Sequence, residues 1–182
     1  MFKIFSRYYY LQLRKVVYYA AKLQNLNDIH NKREINSLKM SLSSLLRSSQ
    51  NELTEHFSLI EFTRSSTAER LGIDNTPTED VLQNLEYTAQ CLEKIRKAWG
   101  KPIVITSGYR CEKLNKAVGG VSNSQHCKGQ AVDIKWDLEL FSFILQFCDF
   151  DQLIKEKSGK TRWIHISFNK NGNRRKAIEI SK

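Results

Sequence analysis

Proline and glycine are scarce. Two prolines and eight glycines in 182 residues exclude a collagen-like chain and a proline-rich low-complexity one. No run approaches the roughly 18 apolar residues that a membrane-crossing helix requires. Cysteine is sparse too: Cys91, Cys111, Cys127 and Cys148 contain no CxxC pair, so neither a zinc ribbon nor a thioredoxin-type site is indicated. No clean apolar stretch precedes a small-residue cleavage site near the start, so no secretory signal is recognised and free thiols are expected. No internal repeat is visible. What is present, 41% hydrophobic and 10% aromatic residues, is too rich for a disordered chain and suits one globular domain with an appendage.

The formal charge of +10 is unevenly spread. Residues 1–50 carry nine Lys/Arg and two acids, so this stretch holds +7 and the remaining 132 residues only +3. Such asymmetry marks an appended arm, and we expect a basic helical arm over 1–53 and a separate domain over 54–182. Residues 8–23 fit an aromatic, basic amphipathic helix, solvated or packed on a partner rather than laid on a membrane. Met40 is an alternative start that would leave out residues 1–39. With the excess in the arm, and no motif interleaving aromatics with basic residues, nucleic acid is not the expected partner.

Beyond a leucine-rich helix over 35–53 and a short extended or mixed segment over 56–62, the clearest element follows the turn at Asn75-Thr76-Pro77. Thr78 is expected to cap a helix in which Val81, Leu82, Leu85, Ala89, Leu92, Ile95 and Trp99 recur at helical spacing, and which Gly100 and Pro102 end. Strands are expected over 103–106, 130–134, 150–156, 162–168 and 175–180, and helices over 112–118 and 138–147. Helices first and hairpin-linked strands last predict an α+β fold: a mostly antiparallel sheet with helices packed on one side.

Four histidines are available: His30, His56, His126 and His165. His30 falls in the arm, and His56 has no evident partner. His126 leaves a loop and enters a strand, in which alternation places Ala131 and Asp133 on one face. In Trp163-Ile164-His165-Ile166-Ser167-Phe168, alternation puts Trp163, His165 and Ser167 opposite an isoleucine face suited to a core. Two histidines and an aspartate suffice to hold Zn²⁺ with a fourth position open. The same residues also fit a satisfied, half-buried His165 and a turn-capping Asp133.

The pattern Ser124-x-His126-x-x-Gly129-x-Ala131-x-Asp133, followed by Trp163-Ile164-His165, resembles the zinc D-Ala-D-Ala carboxypeptidases. That family includes phage endolysins that cut peptidoglycan stem peptides, and it shares its fold with the hedgehog signalling domain. Ile105-Thr106-Ser107-Gly108-Tyr109-Arg110, Leu114-Asn115, Gly119-Gly120, the 56–62 segment and the Asn75 turn extend the resemblance over about residues 54–170. It implies that His126, Asp133 and His165 bind one zinc ion per chain and that Arg110 contacts a substrate carboxylate or carbonyl oxygen. Ser124 then belongs to the substrate loop, as a capping or supporting residue rather than a nucleophile. Many members carry an acid three residues before the last histidine, where this chain has Arg162, which cannot accept a proton. Glu156, on the preceding strand, is the replacement we expect as general base, with Asp151 as its competitor.

The activity so implied is hydrolysis of D-alanine-containing stem peptides, as a carboxypeptidase or an endopeptidase, by a monomeric protein. It would be made in the cytoplasm and act on the bacterial cell wall, with phage or prophage lysis as one route. A catalytically inactive, zinc-stabilised wall-binding or hedgehog-like interaction domain is the alternative.

Overall fold

A computed structural model describes Tyr18 and residues 51–181. Tyr18 and residues 51–53 aside, the helices expected over 8–23 and 35–53 lie outside the described residues, as does His30. The chain divides into two units, residues 1–55 and 56–182, and all the elements named here belong to the second.

In chain order these are α1 (Leu59–Thr63), α2 (Ser66–Leu71), α3 (Glu79–Trp99), β1 (Ile105–Ser107), α4 (Glu112–Ala117), a 3-10 turn (Gln125–Lys128), β2 (Ala131–Lys135), α5 (Leu138–Phe147), β3 (Gln152–Ser158), β4 (Thr161–Ser167) and β5 (Lys176–Ser181). The strands form one sheet in the order β1-β2-β4-β3-β5. Every pairing is antiparallel except β3 with β5. The fold is therefore α+β with a mostly antiparallel sheet.

The two faces of that sheet have different work. Val132 and Ile134 of β2, Leu153 of β3, and Ile164 and Ile166 of β4 are fully buried on one face. Lys155, on the same face of β3, lies 4.8 Å from the Phe141 ring, so α5 covers this side. Trp99 at the end of α3 meets Phe143 of α5 at 5.1 Å between ring centroids, which joins the two long helices. Apolar burial here is the main cohesive term, at about 1.5–3 kcal/mol for each large side chain removed from water. The opposite face carries Asp133, Ile154, Glu156, Trp163 and His165, the alternate residues of the same strands.

Two local expectations change. Residues 56–62 are not an extended segment: Leu59–Thr63 is a helical turn, because the Ser58 N–H and hydroxyl both donate to Glu61 Oε2 at 2.8 Å. Phe57 and Phe62 then pack edge to face in the core. Thr78 does occupy the N-cap of α3, but its side chain makes no capping bond. The C-terminal stop is as expected, with Gly100 left-handed at φ 74°.

Gly108 permits a close backbone-to-backbone approach. A Cβ there would lie 2.3 Å from the Phe62 carbonyl oxygen and 2.7 Å from its Cα, both backbone atoms that cannot swing aside. The Tyr109 N–H bonds to that carbonyl at 2.6 Å, which locks α1 against the end of β1. Gly108→Ala is therefore expected to destabilise by about 1–3 kcal/mol, the usual cost of overpacking, read as a lower midpoint in urea unfolding.

Candidate metal centre and cleft

The candidate site forms where two strands and one turn meet. Asp133 on β2 is the direct cross-strand partner of His165 on β4. His126 arrives from the 3-10 turn, which Ser124 caps by accepting the His126 N–H at 3.3 Å and which Gly129 ends at φ 68°. Helix α3 holds this turn in place. Asn84 donates to the Lys128 carbonyl at 2.9 Å, and buried Thr88 donates to the Gly129 carbonyl at 2.8 Å. At Gly129 a Cβ would lie 2.9 Å from the Val81 carbonyl oxygen, so a side chain there would push the turn off the helix.

Three ligand-type atoms converge at this point. His126 Nε2 lies 3.1 Å from His165 Nδ1 and 3.2 Å from Asp133 Oδ1, and His165 Nδ1 lies 3.1 Å from the same oxygen. Two ligands bonded at 2.0–2.1 Å in a tetrahedron are roughly 3.3 Å apart, so the triangle is close to the spacing a tetrahedral ion requires. All three residues are buried. The tautomer fits as well. His126 Nδ1 is 2.6 Å from the Gly108 carbonyl, which can only accept, so Nδ1 carries the proton and Nε2 turns a bare lone pair to the centre.

Charge states follow from these contacts. Burial, above all, pushes the His126 imidazole below its ordinary pKa, against the pull of Asp133, and favours the neutral ring. Burial also works to raise the Asp133 carboxyl, but the two imidazoles outweigh it and keep the group well below the usual carboxylate range. A neutral imidazole and an ionised carboxylate are the forms that bind metals. Asp133 Oδ2 takes no part in the triangle; it accepts from Arg110 Nη1 at 3.4 Å. Arg110 in turn donates to Ser107 Oγ at 2.9 Å.

The triad opens on a cleft of about 610 Å³, whose walls include Arg110, Ser124, Glu156 and Trp163. Glu156 pairs with Trp163 across β3 and β4, which makes it the diagonal neighbour of His165, about 7–8 Å away between backbones. It is half-buried. Arg162, at the position of the usual acid, projects on the opposite face, with its guanidinium 5.9 Å from the Trp136 ring. In this chain that position faces away from the cleft.

Asp151, the competing acid, is engaged on both oxygens. Its side chain is fully buried. Arg174 donates through its backbone N–H at 3.1 Å, Nε at 2.8 Å and Nη2, and Gln125 donates through Nε2 at 2.9 Å. Chiefly through the Arg174 bond, its pKa falls from 3.8 to about 2. The carboxylate thus ties the lead-in to β5 to the turn that carries His126.

Sequence reasoning missed two supports. Asn75 was read as turn chemistry, yet its side chain donates to the Thr63 and Tyr109 carbonyls at 2.8 and 3.0 Å and accepts from the Cys111 N–H at 2.8 Å. It therefore fixes the backbone on both sides of Arg110. His56 does have a partner: its Nδ1–H donates to Glu93 Oε1 at 2.7 Å, and its backbone N–H donates to Oε2 at 3.2 Å. The partner lies 37 residues away, so no local pattern could reveal it. All four cysteines are free. Among the described residues, no helix is long and apolar enough to cross a membrane.

A buried two-histidine, one-aspartate cluster at the floor of a polar cleft is the arrangement of a metal-dependent hydrolase. The family model described as Peptidase M15 matches residues 55–167, and the chain belongs to that family, of zinc D-Ala-D-Ala carboxypeptidase type. The protein is thus a member of a metallopeptidase family, with candidate ligands His126, Asp133 and His165. No curated protein matches the chain closely enough to count as a relative.

Two expected outcomes test the supports. Asn75→Ala loses three hydrogen bonds and is expected to cost about 1–3 kcal/mol of unfolding free energy in urea. For Asp151, the folded pKa lies below the unfolded one. Its stabilisation is therefore complete above about pH 5 and is lost as pH falls towards 2. Urea midpoints of wild type and Asp151→Asn should differ at pH 6 and converge near pH 2.

Proposed function

We propose that this chain is a zinc-dependent peptidase acting on D-alanine-containing stem peptides of the bacterial cell wall. The observation that carries the reading is the mutual 3.1–3.2 Å spacing of His126 Nε2, Asp133 Oδ1 and His165 Nδ1 at the floor of the cleft. These three residues would hold the ion. The donor set of two imidazoles and one carboxylate suits zinc with a position left for water or substrate. Zinc in such a site supplies Lewis-acid polarisation of a peptide carbonyl and makes water acidic enough to be a nucleophile near neutral pH.

The chain's own residues do the rest. Glu156, on the cleft wall beside Trp163, accepts the proton of the attacking water and returns it to the departing amine nitrogen. Arg110 offers planar donors to the carbonyl oxygen or to a substrate carboxylate, and Asn75 keeps its backbone in register for that contact. Ser124 shapes the loop through its bond to the His126 N–H. Asp151 is not the base in this reading, because Arg174 and Gln125 already occupy its oxygens. D-alanine peptides as substrate rest on the family resemblance.

Mass spectrometry of muropeptides digested by the purified protein reports activity and scissile bond together. Glu156→Gln should lower turnover by about 10²-fold or more while zinc content stays at one per chain. Full activity with zinc retained would remove Glu156 as the base. Asp133→Ala should abolish tight zinc uptake, measured by calorimetry. A wild-type protein unable to take up zinc would defeat the centre itself.

A further inference from the structure

A second cavity of about 540 Å³ adjoins the metal cleft, and Arg110 and Val118 line both spaces. Arg110 stands at the junction, with its Nη1 bonded to Ser107 Oγ and 3.4 Å from Asp133 Oδ2. A carbonyl placed at the triad would therefore have a second cavity on the far side of Arg110. An enzyme restricted to removing a terminal residue requires its carboxylate-binding group to close the space directly beyond the scissile bond. Here a second cavity adjoins that point across the Arg110 side chain, and each cavity is within the usual size range of a ligand site.

The second cavity is polar in a way that suits peptide main chain. Arg64, Ser66 and Thr67, at the start of α2, contribute a guanidinium and two hydroxyls, and Glu69 is the acid among its walls. Arg64 is exposed, so its fork of donors is available to carbonyl or carboxylate oxygens. Val118 is 45% exposed where the two spaces meet, and it offers an apolar shoulder to a small side chain.

We propose that the second cavity is the subsite for the peptide on one flank of the scissile bond, so that the preferred substrate is an extended peptide cleaved internally. Arg64 is a specificity-determining residue of that flank. This rests on the peptidase reading of the metal cleft.

The experiment uses the full-length, zinc-loaded protein and a series of synthetic stem peptides lengthened one residue at a time on either flank. In wild type, two added residues on one flank should raise kcat/KM about tenfold, because contacts remote from the reacting bond lower the barrier. In Arg64→Ala that gain should shrink to about twofold, and Thr67→Val should reduce it in the same direction. The quantity compared is the ratio between long and short peptides within each variant, so losses of folded or metal-loaded enzyme cancel. A flat length series, or a gain that survives in both variants, overturns the proposal. No cleavage at any length defeats the peptidase reading, and the proposal with it.

Discussion

Asp133 and His165 can share a ligand only because β2 and β4 are paired in the register that sets one opposite the other. Side chains alternate across a sheet, so a slip of one residue would send either group into the isoleucine face. That slip is opposed by Val132, Ile134, Ile164 and Ile166, which are fully buried on that other face and would be expelled by the same movement. Hydrophobic burial on one side of the sheet therefore positions the charged chemistry on the other. His126 is the exception, since it comes from a turn, and several hydrogen bonds from α3, Ser124 and Gly108 replace the lost certainty of strand register.

The cleft is braced by contacts between segments distant in the chain. Asp151 joins Arg174, 23 residues later, to Gln125, 26 residues earlier, and so fastens the β5 lead-in to the His126 turn. Asn75 does the same for Arg110 from 34 to 36 positions away. Each brace works through a side chain whose donors and acceptors are all engaged or nearly so, the condition under which a polar group inside a fold adds rigidity rather than cost. Preorganisation of this kind holds the candidate metal ligands and the cleft-lining Arg110 guanidinium in one geometry.

The long elements were legible because their signals are local. α3 shows apolar residues at helical spacing and a glycine stop, and α5 spans Leu138–Phe147 as its pattern predicts. Strand alternation also places Asp133 and His165 on polar faces, while the set of three candidate ligands came from the family resemblance. Short elements were not. α1 is five residues long, too short for periodicity to separate it from an extended segment, and the Ser58–Glu61 contact decides it.

Sequence alone determined the order of the long helices and the strands, the two faces of β2 and β4, and the residue types able to hold a metal, because each is set by spacing along the chain. Tertiary structure alone decided which of two acids is committed elsewhere, which side Arg162 faces, and that a second cavity adjoins the cleft at Arg110. Asp151 and Glu156 are five residues apart, one just before β3 and one within it, and nothing local separates the committed acid from the one on the cleft wall. The distinction arises only when Arg174 and Gln125 close on Asp151, and when pairing with β4 sets Glu156 beside Trp163. Long-range contacts of that kind depend on the packed chain, and a linear pattern cannot carry them.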